Sequence, residues 1–84
     1  MRHNVLIVDD EQLIRQGLRA RIKYLGIDVD EIFEADNGLM ALGIQDEHPI
    51  DLVITDIRMP DMDGLELIQE MQKKNNQIKF VVLS

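Results

Sequence analysis

Val5-Leu6-Ile7-Val8-Asp9-Asp10-Glu11 sets the reading of the whole chain. Four apolar residues in a row, three of them β-branched, suit a strand covered on both faces, as in a parallel sheet. Three acids end the run at once, and the stretch after them has helical length and periodicity. The spacing predicts a helix over residues 11–25, with Ile14, Leu18, Ile22 and Leu25 as its apolar stripe, widened by Leu13, Gly17 and Ala20. Gly26 supplies the stop.

The same unit recurs downstream. Residues 31–35 form a second predicted strand centred on Ile32 and Phe33, and Asn37 is placed to cap a helix carrying Leu39, Ala41, Leu42 and Ile44 up to His48-Pro49. Residues 52–54 run as a third strand into Thr55-Asp56. Asp63-Gly64-Leu65-Glu66 has the form of a capping box, in which Asp63 accepts from the Glu66 amide while Glu66 reaches back. It opens a third helix with Leu65, Ile68 and Met71 as its stripe, ending near Asn75-Asn76, and residues 78–83 are a fourth strand. The order is βαβαβαβ, with connections too long for hairpins. This order implies parallel strands and right-handed crossovers, and with them an α/β three-layer sandwich. Polar residues gather directly after the first and third strands, where a switch-point crevice opens if those strands are neighbours.

Eighty-four residues suffice for one small domain. A hydrophobic content of 45% and a charged content of 30% fit a globular chain. A net charge of −7 disfavours contact of this segment with nucleic acid or anionic lipid. No apolar stretch is long enough to span a bilayer, and Met1-Arg2-His3-Asn4 leads straight into a strand without the features of a signal peptide. The chain has no cysteine, which removes disulfides and thiolate metal sites and agrees with a cytoplasmic home.

Asp9 and Asp10 come directly after the first strand, and Asp56 ends the third. If those strands pair, their axes lie ~4.8 Å apart and the carboxylates converge on one pocket. Two like charges ~5 Å apart repel by roughly 3 kcal/mol at an effective dielectric near ~20. A cation relieves that repulsion, and Mg²⁺ suits a pocket that offers one or two carboxylates and leaves room for water and phosphate oxygen. The plain alternative is helix capping for Asp9-Asp10-Glu11 and an ordinary turn residue for Asp56.

The loop beginning at Asp56 weighs against that alternative. Asp56-Ile57-Arg58-Met59-Pro60-Asp61-Met62-Asp63-Gly64 closely resembles the phosphoacceptor loop of bacterial response-regulator receivers, D-x-x-M-P-x-M-D-G. Val8-Asp9-Asp10-Glu11 resembles the acidic pair of that family, and Val81-Val82-Leu83-Ser84 its fourth strand with a terminal hydroxyl. The resemblance implies a flavodoxin/CheY-like fold. It makes Asp56 the carboxylate that attacks phosphorus, and Asp10, Asp56 and the backbone carbonyl of Arg58 direct ligands of Mg²⁺. Asp9 would act through water or by orienting its partner, and Ser84 would donate its hydroxyl to a phosphoryl oxygen and serve as a switch. Pro60 and Gly64 shape the loop, while Met59 and Met62 read as packing residues.

The resemblance also implies a sensor histidine kinase as phosphodonor. It further implies a C-terminal output domain in the intact protein, of the helix-turn-helix DNA-binding kind. Such a protein is a phosphoacceptor in signal transduction rather than an enzyme acting on other substrates. Receivers have five βα units, so residues 1–84 are expected to be an incomplete receiver, truncated after the fourth strand. The active-site lysine of the fifth strand has no counterpart among Lys73, Lys74 and Lys79. The fourth strand would then be an exposed edge open to homodimer pairing.

Other readings fit less well. A haloacid-dehalogenase phosphatase needs a second Asp two residues after its nucleophile, where this chain has Arg58. Neither phosphate-cradling glycine motif is present, which argues against a nucleotide-binding domain. A non-phosphorylated interaction module with the same fold is the third alternative. Arg15, Arg19 and Lys23 form a basic stripe, read either as a solvated face in which Glu11 pairs with Arg15 or as a kinase docking surface. Tyr24 and Phe33 read as core or boundary residues, and His3 and His48 as isolated side chains.

Overall fold

A computed structural model describes residues 3–26 and 28–83. The elements are β1 (Asn4–Val8), α1 (Gln12–Tyr24), β2 (Glu31–Ala35), α2 (Gly38–Glu47), β3 (Leu52–Asp56), α3 (Gly64–Lys74) and β4 (Lys79–Leu83). All pairings are parallel and the order is β2-β1-β3-β4. The chain thus steps outward from β1 to β2, then crosses back to β3 on the other side of β1. That reversal puts α1 on one face of the sheet and α2 with α3 on the other, which are the three layers the sequence predicts.

Alternation along the strands divides the core. Leu6, Val8, Ala35 and Val53 face α2 and α3, where they meet Ala41, Leu67 and Met71. Val5, Ile7 and Ile32 face α1 and meet Ile22. Full burial of each large side chain here contributes about 1.5–3 kcal/mol.

Local signals at the helix ends act as expected. The Asn37 side chain accepts from the Met40 amide at 2.8 Å, and that of Asp63 from the Glu66 amide at 2.8 Å. The return bond from Glu66 to Asp63 does not form among the described residues. Gly26, at φ 67°, takes the left-handed conformation just past α1.

Two apolar stripes differ from expectation. In α1 Leu13 and Tyr24 are 80% and 91% exposed and Ile14 is also exposed, and Leu25, just past the helix, is 68% exposed. The cause is geometric: among the described residues α1 is the one helix on its face of the sheet, so only the side directed at β1 and β2 is buried, through Ile22 and half-buried Leu18. Tyr24 is therefore a surface residue, not a core one. In α3 the buried positions are Leu67 and Met71, while Leu65 is exposed. The stripe turns toward α2, where Lys74 Nζ bonds Asp46 at 2.7 Å and Gln45 Nε2 donates to the Met71 carbonyl at 3.0 Å.

Candidate metal centre

β1 and β3 are neighbours with Val8 beside Thr55, so Asp9 and Asp56 come together at the carboxyl edge of the sheet. One carboxylate oxygen from each of Asp9, Asp10 and Asp56 lies within 4.8 Å of the other two. Asp9 is buried, Asp56 half-buried and Asp10 exposed. Beside the trio opens a shallow cavity of about 480 Å³ lined by Asp10, Ile57, Arg58, Met59, Pro60 and Asp63. Ser84 lies outside the described residues.

Asp9 is fixed at three points. Its amide donates to the Ala35 carbonyl at 3.1 Å, extending the β1–β2 ladder past Val8. Its carbonyl accepts from Arg15 Nη1 at 2.7 Å. Its Oδ1 accepts from the Glu11 amide at 2.8 Å, at the start of α1, where Glu11 itself makes no side-chain cap. The capping alternative is thus realised for one oxygen of Asp9. Burial pushes its carboxyl above the ordinary 3.8, and the charges of Asp56 and Asp10 push the same way, against the Glu11 hydrogen bond.

Asp56 is positioned by the turn that it begins. Thr55 is fully buried and its hydroxyl donates to the Asp56 carbonyl at 2.9 Å. The Gly64 amide donates to the Ile57 carbonyl at 2.7 Å, closing the loop onto itself. Met59 is buried in the α2–α3 core and Met62 packs against it, so both are packing residues. Met62 also rests on Gly38, where a Cβ would lie 2.9 Å from its Cβ and Sδ. The donor set is hard oxygen throughout, crowded and partly buried, and these residues fit a small divalent cation such as Mg²⁺.

Two positions of the basic stripe on α1 are paired within the fold rather than left as a simple solvated face. Arg15 Nε bonds Glu34 Oε1 at 3.1 Å and Arg19 Nε bonds Glu34 Oε2 at 2.7 Å. Arg19 Nη2 also donates to the Ile32 carbonyl at 2.8 Å. The pairing of Arg15 with Glu11 gives way to Glu34, because Glu34 shares the α1 face of β2 with Ile32 and needs a counter-charge there. Alternation contained this signal: a Glu two residues after an inward Ile, under a helix with arginines four apart.

Burial pushes the Glu34 carboxyl up, but bonds from Arg19 and Arg15 outweigh it and hold the group below its ordinary 4.5. A depressed folded-state pKa gives stability that is present above 4.5 and is lost as pH falls through the lower folded value. Glu34→Gln should therefore cost about 2 kcal/mol at neutral pH, the scale of a charged hydrogen bond. Its urea-unfolding free energy should fall less steeply than the wild type's as the pH is lowered below 4.5. Parallel pH profiles for the two proteins would show that Glu34 is not held as an ion pair.

The family model described as "Response regulator receiver domain" matches residues 5–84. The probable transcriptional regulator ycf27 of Cyanidium caldarium is 44% identical over 82 residues, which is 98% of this chain and 31% of that protein. The chemotaxis protein CheY of Bacillus subtilis is 36% identical over 84 residues, 100% of this chain and 68% of that protein. Among solved structures, the response regulator protein TrrA of Thermotoga maritima, in complex with Mg²⁺-BeF, matches with a TM-score of 0.85 at 39% identity. That match covers 95% of this chain and 67% of that one. The chain thus spans about a third of the length of ycf27 and about two thirds of CheY. Among the described residues no helix is long and apolar enough to cross a membrane.

Proposed function

From the premise that this chain belongs to the response regulator receiver domain family, the signalling domain of two-component systems with a flavodoxin/CheY-like fold, we propose that Asp56 accepts a phosphoryl group from a sensor histidine kinase in a Mg²⁺-dependent reaction. The observation that carries this is the meeting of Asp9, Asp10 and Asp56 at one edge of the sheet. A carboxylate oxygen of Asp56 attacks phosphorus, forming a P–O bond as the P–N bond to the donor imidazole breaks. Asp10, Asp56 and the Arg58 carbonyl would hold Mg²⁺ directly, with Asp9 contributing through water. When bound, the ion supplies the positive charge that shields the acids and the phosphoryl oxygens.

Phosphorylation adds about −1.5 to −2 charges and three acceptor oxygens at the loop, and Ser84 would donate to one of them. A shift of the segment around Ser84 would then carry the signal onward. The likeness to ycf27 and to TrrA with its bound Mg²⁺-BeF supports this reading. A C-terminal output domain of the helix-turn-helix DNA-binding kind completes the proposal for the intact protein, which would act in the cytoplasm.

The test is treatment with a small phosphodonor and Mg²⁺, with beryllofluoride as a mimic, and then peptide mapping. Incorporation at Asp56 is expected, and none in Asp56→Asn; a variant that still labels would move the acceptor elsewhere. One observation favours a second reading, in which the domain acts by pairing with itself. Among the described residues β4 is paired on one side only, with Val81 and Val82 exposed. Self-association without incorporation at Asp56 would select that reading.

A further inference from the structure

We propose that Arg15 is a positioning residue for the Asp9-Asp10 turn and that, held by Glu34, it sets the affinity of the acidic edge for a divalent cation. The proposal rests on the reading of that edge as a Mg²⁺ site and assigns a role to a side chain that touches neither the ion nor the phosphoryl group. Two adjacent residues of β2 hold both sides of Asp9. Ala35 receives the Asp9 amide directly, while Glu34 receives the guanidinium that binds the Asp9 carbonyl. The turn that presents the Asp9 and Asp10 carboxylates is therefore tied to β2 by both of the Asp9 main-chain polar groups.

The guanidinium is suited to this because its donors lie in one rigid plane, so the bond to Glu34 through Nε aims Nη1 at the carbonyl. The Arg15 side chain is 15% exposed, which limits competition from water. Arg19 occupies the other oxygen of Glu34 and the Ile32 carbonyl, and so fixes the carboxylate that aims Arg15. This makes Glu34 an outer support of the proposed ion site, two bonds removed from it.

The sign of the effect separates positioning from charge. A cation near an acidic pocket repels a second cation, so if Arg15 acted only through its charge, removing it would tighten Mg²⁺ binding. Positioning predicts the reverse. Mg²⁺ demands near-ideal octahedral geometry, so carboxylates on a loosened turn bind it less well.

The test measures the Mg²⁺ dissociation constant of the full chain by calorimetry, together with the Tm of the protein in chelator. Arg15→Met should weaken Mg²⁺ binding about 10- to 100-fold, the range for loss of an outer-shell partner. Arg15→Lys, which keeps the charge and can reach one partner but not both in a fixed plane, should recover part of that loss. Ile22→Val, on the same helix and packed with Val5, Ile7 and Ile32, should lower the Tm while leaving the Mg²⁺ Kd within about threefold.

Binding by Arg15→Met as tight as the wild type or tighter would overturn the proposal. So would a loss of affinity in Ile22→Val that tracks its Tm as Arg15→Met does. If Arg15→Met does not fold, Arg15→Lys decides: about tenfold weaker binding at an unchanged Tm supports the role, and wild-type affinity overturns it. Wild-type Mg²⁺ affinity in Asp10→Asn would refute the ion site itself, a result distinct from any of these.

Discussion

Asp10→Asn should weaken Mg²⁺ binding by at least about 100-fold and, in the same protein without metal, raise the melting temperature. The first effect exceeds the usual 10- to 100-fold cost of losing an outer-shell partner because, on the proposed reading, Asp10 would supply a charged ligand oxygen directly. The second arises from crowding. Three carboxylates with oxygens within 4.8 Å of one another repel, and the upward push on Asp9 shows that burial and its neighbours disfavour its charge. Asp10 is exposed, so the relief sits near the low end of the contact-distance range, about 1 kcal/mol in water against about 4 at an intermediate dielectric. One kcal/mol moves the Tm of a domain this size by roughly 4–8 °C. Calorimetry with and without chelator reads both effects. A lower Tm for metal-free Asp10→Asn would mean that Asp10 serves the fold rather than an ion.

Gly64→Ala should have the largest effect on stability of any glycine substitution in the chain. A Cβ at position 64 would collide with the Asp56 carbonyl oxygen and lie 3.0 Å from the Ile57 Cα and 3.1 Å from the Asp56 carbonyl carbon. Every obstacle is main chain, so no side chain can swing aside. The loop can yield only by moving the end of β3 or by breaking the bond from the Gly64 amide to the Ile57 carbonyl. Overpacking typically costs 1–3 kcal/mol, and rigid obstacles put this variant at about 3 or more. That corresponds to a fall in Tm of at least about 12 °C, and Mg²⁺ binding should weaken with it because Asp56 moves. Gly43→Ala provides the contrast. Nothing lies within 4 Å of its Cβ, and in the interior of α2 the exchange should stabilise by about 0.5–1 kcal/mol. A Gly64→Ala protein that melts with the wild type would show that the turn at Asp56 is looser than these distances require.

The elements and the meeting of the three acids are legible in the sequence because each depends on local pattern and one topological rule. The apolar run at Val5-Leu6-Ile7-Val8 needs two covered faces, and βαβ units with a reversal beside β1 provide them. The pairing of β1 with β3 then brings Asp9 and Asp56 together whatever the details of packing. Burial on α1 is less legible. Its seven apolar or small positions do not reveal that the helix would share its face of the sheet with no other helix here, so Leu13, Tyr24 and Leu25 look more buried than they are. The stripe on α3 misleads in a similar way, since Leu67 rather than Leu65 joins Met71 in the core against the sheet. The Arg15–Glu34–Arg19 cluster is hidden by a preference for near neighbours: Glu11 is four residues from Arg15, whereas Glu34 is nineteen away and adjacent only through the β2 register.

The central place of β1 has a bearing on how the domain fluctuates. Its amides and carbonyls are tied on both flanks, to β2 and to β3. Openings of small amplitude begin where few bonds must break, so the amides of β1 should exchange only on global unfolding. The Asp9-Asp10 turn, as a direct continuation of β1, would then keep its shape through local openings elsewhere in the domain.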